Sequence, residues 1–481
     1  MKRFFTIFAV LMVFGLSPSA SWSSGFFVAR FGGPHGHPTT DNLTAMYYNP
    51  AGLSLGEGTR LYIDGNFARR LVTYTRSEGA VGNIIDDGCV NCSGTPRADL
   101  AANTGEGTLE NYIASPFIGV ASDFGLKNVG FGLSLYAPFG GTSVYDEVPQ
   151  VGPHIGSVNG PQRWWAIEGT IKSVFITGAA AYRMPDLGLS FGIGLNLVKN
   201  QVFTARAKTS PNTDDLVDTS GSGFQVGEGQ LIKEGRAIID VESTEFSLGV
   251  GVLYEPADNV WLGLSYQSSP GFGENKLEGK SRLILGSAAE EIEKAVLYQY
   301  LPDVWQFGAR WRPNETTELR FSGNYIRWSV LKEHCALGLP EGSSDARENC
   351  DAGPLFIAPR NWEDAMAFRL GGSYWFSKAS EVMVGAGFDQ NAVPDSTLEP
   401  ALIDMDKVTA SLGARFTFFE DAFAVATTFT QVIYFARDID PSVQETALLK
   451  NPETGTRYGP NAGGKYEQSI SLLNLNLEYK F

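Results

Sequence analysis

From Leu187 to Leu197 every odd position is apolar and every even position is glycine, serine or asparagine. The final run, Leu473-Asn-Leu-Asn-Leu-Glu-Tyr-Lys-Phe481, alternates to the last residue of the chain. Phe246, Leu248, Val250, Val252 and Tyr254 repeat the pattern, as do Val129, Phe131, Leu133 and Leu135. Successive side chains of a strand point to opposite faces. Each run therefore builds a strand with one apolar face and one small or polar face. Composition agrees with strands: 55 of 481 residues are glycine, 12% are aromatic and only 7 are methionine, which does not suit a helical bundle. No apolar run of helical membrane-spanning length follows the first twenty or so positions.

Two fold classes use such strands. A soluble sandwich turns the apolar faces inward, and a membrane barrel turns them outward. Three features favour the barrel. The runs reach the roughly 10 residues that a tilted membrane strand needs. Their connections alternate between tight and long. The chain ends in a strand on an aromatic, which resembles the signal at the end of bacterial outer-membrane proteins. Tight connections fall near 125–128, 184–186, 255–259, 313–316, 376–380 and 419–421. Long ones cover approximately 77–111, 138–165, 207–236, 286–301, 329–361, 392–405 and 437–466. Six tight and seven long connections make fourteen antiparallel strands. An even count returns both ends to one side, the periplasm for an outer-membrane barrel. Lys276–Leu285 could form a strand of its own, which would make the count odd. Parity reads it instead as the outer continuation of strand seven, bent at Ser269–Gly273.

Lys2 and Arg3, the apolar stretch Phe4–Leu16 and the small residues through Ser23 form an export signal over 1–23. Its removal takes two basic residues and moves the net charge from −16 to −18. That charge excludes nucleic acid, whose phosphates need a cationic surface. Export places the four cysteines in an oxidising compartment, where an even count favours disulfides. Cys335 and Cys350 share one long connection and are expected to pair. Cys89 and Cys92 pair with each other or cross-link elsewhere. A redox reading of their C-x-x-C spacing needs a βαβ context, and a structural zinc needs four ligands. Both pairs fall in long connections, which suits an extracellular face.

Residues 24–58 do not alternate. They carry Gly32-Gly-Pro-His-Gly-His-Pro38, then Asp41-Asn42, Tyr47-Tyr48 and Asn49-Pro50-Ala51-Gly52. Long stretches without strand pattern are usually functional or disordered, and Phe26, Phe27, Phe31, Leu43 and Met46 argue for order. Further along come Leu135-Tyr-Ala-Pro-Phe-Gly140, Leu253-Tyr-Glu-Pro256, Gly263-Leu-Ser-Tyr266 and Leu301-Pro302. Asn324-Tyr-Ile-Arg-Trp-Ser329, Asn361-Trp-Glu-Asp364 and Phe388-Asp-Gln-Asn-Ala-Val-Pro-Asp395 complete the series.

In this order and spacing the motifs cover essentially the whole mature chain. The chain resembles the FadL/TodX family of outer-membrane hydrophobic-compound transporters. The resemblance implies an all-β, fourteen-stranded transmembrane barrel over 59–481, with an N-terminal plug (hatch) over 24–58 that contains the Asn49–Gly52 turn. It implies passive uptake of hydrophobic compounds, most simply long-chain fatty acids, by a channel of the bacterial outer membrane. Capture would occur at the extracellular loops. A pocket would be lined partly by Phe26, Phe27 and Phe31. An inward kink of strand three near 129–141, with Pro138, Gly140 and Gly141 as local breakers, would open a lateral exit. The reading carries no cofactor, and its partners are a hydrophobic ligand and outer-membrane lipid around a monomer. Its rivals are an aromatic-hydrocarbon channel of the same build, a general porin with an open polar lumen, and a structural or adhesive surface protein. The four cysteines are not part of the family's pattern.

In loop four, Ala288, Ile292, Ala295, Val296 and Tyr300 share one stripe at helical spacing. They predict an amphipathic helix that either roofs a capture groove or simply packs on the barrel rim. If Trp305, Phe307 and Trp311 face lipid, Arg310 and Arg312 face the lumen, and the same rule turns Arg320, Arg369 and Arg415 inward. An arginine on the lipid face costs about 2–4 kcal/mol at mid-depth. These arginines would meet a ligand carboxylate, or the plug together with inward Glu168, Glu381 or Asp389. Gly52-Leu-Ser-Leu-Gly56 matches a hydrolase motif but lacks the strand-to-helix turn that gives it meaning. His35, His37, His154 and His334 all lie in the plug or loops, so no strand offers a catalytic base. His35 and His37 are too few to define a metal site. Asp214, Asp215 and Asp218 lack the spacing of a calcium loop.

Overall fold

The apolar face of the alternation points outward. On the strand Leu189–Lys208, Ile193 and Leu195 are 51% and 56% exposed, while Ser190 and Asn196 between them are buried. Phe67, Leu412, Phe429 and Leu473 are likewise exposed, and Asn66, Thr428 and Asn474 are buried. A soluble sandwich would show the reverse. The computed structural model describes residues 30–481 apart from 87–88, 90–91, 210–211, 219–230, 286–289, 340–349, 351–355, 445–448 and 451–456. The export signal, Phe26 and Phe27 lie outside the described residues.

Fourteen strands close into one antiparallel barrel. They are β1 (Thr59–Arg76), β2 (Gly105–Ser122), β3 (Val129–Val144), β4 (Glu168–Met184), β5 (Leu189–Lys208), β6 (Gly235–Ala257) and β7 (Val260–Gln267). After them come β8 (Val304–Asn314), β9 (Thr317–Ile326), β10 (Ala365–Ser377), β11 (Ser380–Asp389), β12 (Lys407–Phe418), β13 (Phe423–Tyr434) and β14 (Gly464–Lys480). β1 pairs with β2 on one side and with β14 on the other, so the wall has no free edge there. Arg60 lies opposite Lys480, and both chain ends of the barrel sit at the tight-turn end. Phe124, Trp311, Phe376, Phe418 and Phe481 ring that end with exposed aromatics, as interfacial girdles do.

Strand seven continues beyond the bend at Pro270–Phe272 as Glu274–Ile284, which pairs with Arg236–Glu242 of β6. The predicted helix of loop four is corrected. Glu291–Tyr300 is a strand, laddered to Glu274–Ile284 on one side and to Glu333–Leu339 on the other. Ala295 and Leu297 face an inner cluster with Val202, Ile239 and Leu277. Val296 packs on the opposite side with Cys335, Leu337 and Cys350. A strand covered on both faces reads as a continuous apolar run, and such a run also satisfies helical spacing. Two waiting ladders decide the matter. Ala288 lies outside the described residues. Ile292 is 59% exposed and Tyr300 packs at the edge of the main core, so Ile292, Ala295, Val296 and Tyr300 form no common stripe. His334 also lies in an outer strand rather than a loop. Glu168 is exposed at the end of β4 and is not an inward partner for the arginines.

The segment 30–58 lies against inward faces around the ring. Its two short turns, Ala45–Tyr48 and Pro50–Leu55, are almost wholly buried. Inward glycines make room for it. A Cβ on Gly192 would lie 2.2 Å from Ala51 N, and one on Gly251 would lie 2.0 Å from Asn49 Oδ1. Gly130 and Gly263 stand equally close to the backbone of Leu53 and Pro38. Much of the glycine excess on the polar face is therefore a mould for this segment.

Candidate functional site

The Asn49–Gly52 turn is fixed from both sides. Asn49 Nδ2 donates to the carbonyls of Pro38 at 2.9 Å and Val252 at 3.0 Å, and its Oδ1 accepts from Ala51 N–H at 3.1 Å. Asparagine alone supplies that pair of donors beside an acceptor at this length. Pro50 opens the turn, where its missing N–H costs nothing. Gly52 sits so close to the Thr40 carbonyl that a Cβ would fall 2.2 Å from it. Ser54, the serine of the hydrolase-like motif, donates to the Ala51 carbonyl at 2.8 Å and caps the same turn.

The inward arginines gather around this segment. Arg310 meets Asp41 at 3.0 Å and lies over the Trp261 ring at 4.1 Å. Arg320 reaches Glu318 at 2.6 Å and the Pro34 carbonyl at 3.3 Å. Arg369 and Arg30 share Asp389 at 2.6 and 3.1 Å. Arg415 pairs with Glu478 at 3.3 Å. His35 bonds Glu381 at 2.8 Å, whereas His37 holds the Thr39 hydroxyl at 2.8 Å, so the two imidazoles serve different partners. Arg310 and Arg415 also line a polar cavity of about 590 Å³ at the tight-turn end, with Asp41, Arg60, Glu318 and Glu478. These contacts anchor the segment. They do not form an apolar pocket.

Enclosure inside the barrel works against the Asp41 charge even though the side chain opens onto the polar cavity, but Arg310 outweighs it and holds the carboxyl well below the usual range. A carboxyl lowered in the folded state contributes fully above its ordinary value of 3.8, and that contribution is lost as pH falls below it. Asp41→Asn is therefore expected to raise protease cleavage within 30–58 several-fold at pH 7. At pH 3 the gap between variant and parent should narrow. Equal protection at pH 7 would show that the pair anchors nothing.

A largely apolar pocket opens toward the long connections. Its apolar wall is Trp165, Ile171, Val202, Ile239, Leu297 and Leu402. Its polar edge is Arg206, His334, Arg360 and Glu399. Arg360 follows directly on the outer strand Phe356–Pro359 and is buried. It donates to Glu399 at 2.7 Å and to His334 Nδ1 at 3.2 Å. Burial and the neighbouring Arg360 push the His334 pKa well below its ordinary value, so the imidazole is neutral. Arg206, Arg360 and Glu399 place charged groups at one edge of an otherwise apolar pocket. None of these residues stood out in the sequence. Arg206 ends a run of alternation, and Arg360 precedes Asn361-Trp-Glu-Asp, so both could be found only by folding the loops.

Strand three changes register against β4 between Tyr136 and Phe139, on either side of Pro138. Pro138 lines a small crevice with Tyr47, Tyr136 and Phe175. The Tyr136 ring stacks between Phe117 and Phe175 at 5.4 and 5.5 Å, and Phe31 meets it edge-on at 5.9 Å. Gly140 and Gly141 lie beyond the break, paired with Lys172 and Ile171 of β4. The structure joins Cys335 to Cys350 and Cys89 to Cys92, both in long connections. Asp214 takes Arg76 at 2.5 Å, and Asp218 accepts from Ser93 at 3.1 Å. Among the described residues no three acidic, histidine or cysteine groups converge as a metal site would require.

A closed barrel with a lipid-facing apolar wall, a segment of its own chain inside and an apolar pocket toward its long loops has the build of an outer-membrane channel for hydrophobic compounds. The chain belongs to the family described as outer membrane protein transport protein (OMPP1/FadL/TodX), whose profile matches residues 35–481. This is a family of transport channels and not of enzymes. A long-chain fatty acid transport protein of Escherichia coli O6:H1 is 23% identical over 448 residues, 88% of this chain and 90% of the relative. Among solved structures, a FadL homologue of Pseudomonas aeruginosa shares 17% identity at TM-score 0.67, over 97% of this chain and 99% of that one. The toluene transporter TbuX of Ralstonia pickettii shares 13% at TM-score 0.58, over 98% and 100%. At such identities the likeness of the solved structures is one of fold alone.

Proposed function

We propose that this protein takes up long-chain fatty acids by passive diffusion across the outer membrane. The two arginines at the polar edge of the otherwise apolar pocket carry this reading. A neutral hydrocarbon gains nothing from Arg206 and Arg360, whereas an amphiphile with a carboxylate head and an apolar tail matches both sides of the pocket. In this reading the long connections face outward, both chain ends are periplasmic, and residues 24–58 act as the plug. The ligand enters the pocket from outside. It then leaves sideways through the wall at the break in strand three, because the segment 30–58 occupies the direct route. One closed barrel suffices, so the working unit is a monomer in outer-membrane lipid.

Equilibrium binding of oleate and of toluene to the refolded full-length barrel tests the substrate. Oleate bound at least ten-fold more tightly is the expected result. A preference for toluene would keep the channel and overturn the fatty-acid assignment.

A further inference from the structure

β2 and β3 are joined in an unusual way. β1 and β2 ladder continuously from Thr59–Ser122 to Arg76–Gly105, and β4 and β5 from Glu168–Ala205 to Met184–Leu189. β2 and β3 ladder only from Phe117–Tyr136 to Ser122–Phe131. Beyond that the strands part, and Pro116 and Pro138, one on each strand, have no N–H to donate. They rejoin where Asp146 N–H donates to the Thr108 carbonyl at 2.8 Å and the Thr108 hydroxyl to the Asp146 carboxylate at 2.8 Å. Between these two closures, two side chains of β2 cross the space. The Ser115 hydroxyl donates to the Ala137 carbonyl at 2.9 Å, and the Asn111 amide donates to the Thr142 carbonyl. Ser143, next to Thr142, lines the pocket of Arg206 and Arg360. On the lipid side stands Tyr112, 68% exposed.

We infer that Asn111 and Ser115 are the latches of a window in the wall, and that their release sets the rate of sideways passage. They are positioning residues, since they act by holding strand three. The inference rests on the lateral route proposed above. Backbone groups that part in hydrocarbon have no water to turn to, so a fully laddered wall stays shut. At this window side-chain bonds alone need to yield: those of Asn111 and Ser115 across the gap, and that of Arg70 of β1, which donates to the Ser143 hydroxyl at 3.1 Å. Each contributes modestly in net terms, because it forms against competing partners. A purely structural role, satisfying two stray carbonyls, predicts something different: lower stability with unchanged passage per folded barrel.

The test compares the initial rate of oleate uptake by cells, normalised to folded barrel, with equilibrium oleate binding to the purified protein. Asn111→Ala and Ser115→Ala are each expected to raise uptake by about five-fold with binding unchanged. Ser115→Thr, which keeps the hydroxyl, should restore the parent rate. Ser115→Ala removes a single oxygen and serves alone if Asn111→Ala does not assemble. Uptake at or below the parent rate in the alanine variants would overturn the latch. A second arm, Ser115→Cys with Ala137→Cys joined by a bifunctional thiol reagent, should stop uptake. If uptake is blocked by the cross-link but unmoved by the alanine variants, the latch fails and the lateral route stands. If cross-linked barrels still take up oleate, the route fails and the latch with it.

Discussion

Arg360→Gln is expected to weaken oleate binding by roughly ten- to a hundred-fold while leaving toluene binding within about two-fold. A hydrogen bond to a charged group is worth about 1.5–3 kcal/mol, and a buried guanidinium that meets a carboxylate is of this kind. Glutamine keeps most of the bulk against His334 and Glu399 and removes the charge. Glu399 then faces the ligand head without its 2.7 Å partner and repels it. Arg206→Gln should act in the same direction from the end of β5. Because His334 is held neutral by burial and Arg360, oleate affinity should stay flat between pH 8 and pH 6. Isothermal titration or displacement of a fluorescent fatty acid checks each point. Equal losses for oleate and toluene would mean that Arg360 shapes the pocket rather than recognising an anion.

The second large effect concerns the segment inside the barrel. Gly192→Val combined with Gly251→Val is expected to unseat it and turn an electrically quiet barrel into a steady conductor. The new side chains would start 2.2 Å from Ala51 N and 2.0 Å from Asn49 Oδ1. The wall is laddered on both sides at these positions and cannot retreat, so the segment must. Overpacking of this kind costs about 1–3 kcal/mol per site, enough in sum to displace a turn held by a few hydrogen bonds. Planar-bilayer conductance should rise at least ten-fold, and protease should cut within 30–58. Gly178→Val is the control, since nothing lies within 4 Å of its Cβ position. A double variant that folds, stays quiet and keeps the segment protected would show that the glycines are not the mould.

The membrane wall was legible in the sequence because two-residue periodicity leaves little freedom once one face must meet lipid. Parity then sorted an ambiguous stretch: Glu274–Ile284 does continue strand seven past its bend. Above the membrane that logic weakens. Residues 295–298 of the strand Glu291–Tyr300 are apolar on both faces, so the spacing of Ile292, Ala295, Val296 and Tyr300 satisfied a helix as well as a strand. Only the ladders offered by two distant segments resolve it. Alternation also turned Arg310, Arg320, Arg369 and Arg415 inward. It could not say that carboxylates from the N-terminal segment and the wall already hold them. The charged edge of the pocket was invisible for the same reason. Arg206 comes from the end of β5 and Arg360 and Glu399 from two separate connections, and no local pattern links them.

Asp64 has a consequence for how the molecule is put together. It accepts the Gly32 N–H at 2.5 Å, the Asn474 amide at 2.7 Å and the Asn476 amide. Asp64 stands on the first strand and the two asparagines on the last, so these contacts span the seam where the cylinder shuts, across more than 400 residues of sequence. Pairings so distant along a chain are slow to find. The carboxylate that the closing strand must satisfy is thus the one that receives the N-terminal segment. Shutting the cylinder and seating the segment draw on one carboxylate, which couples closure to contents.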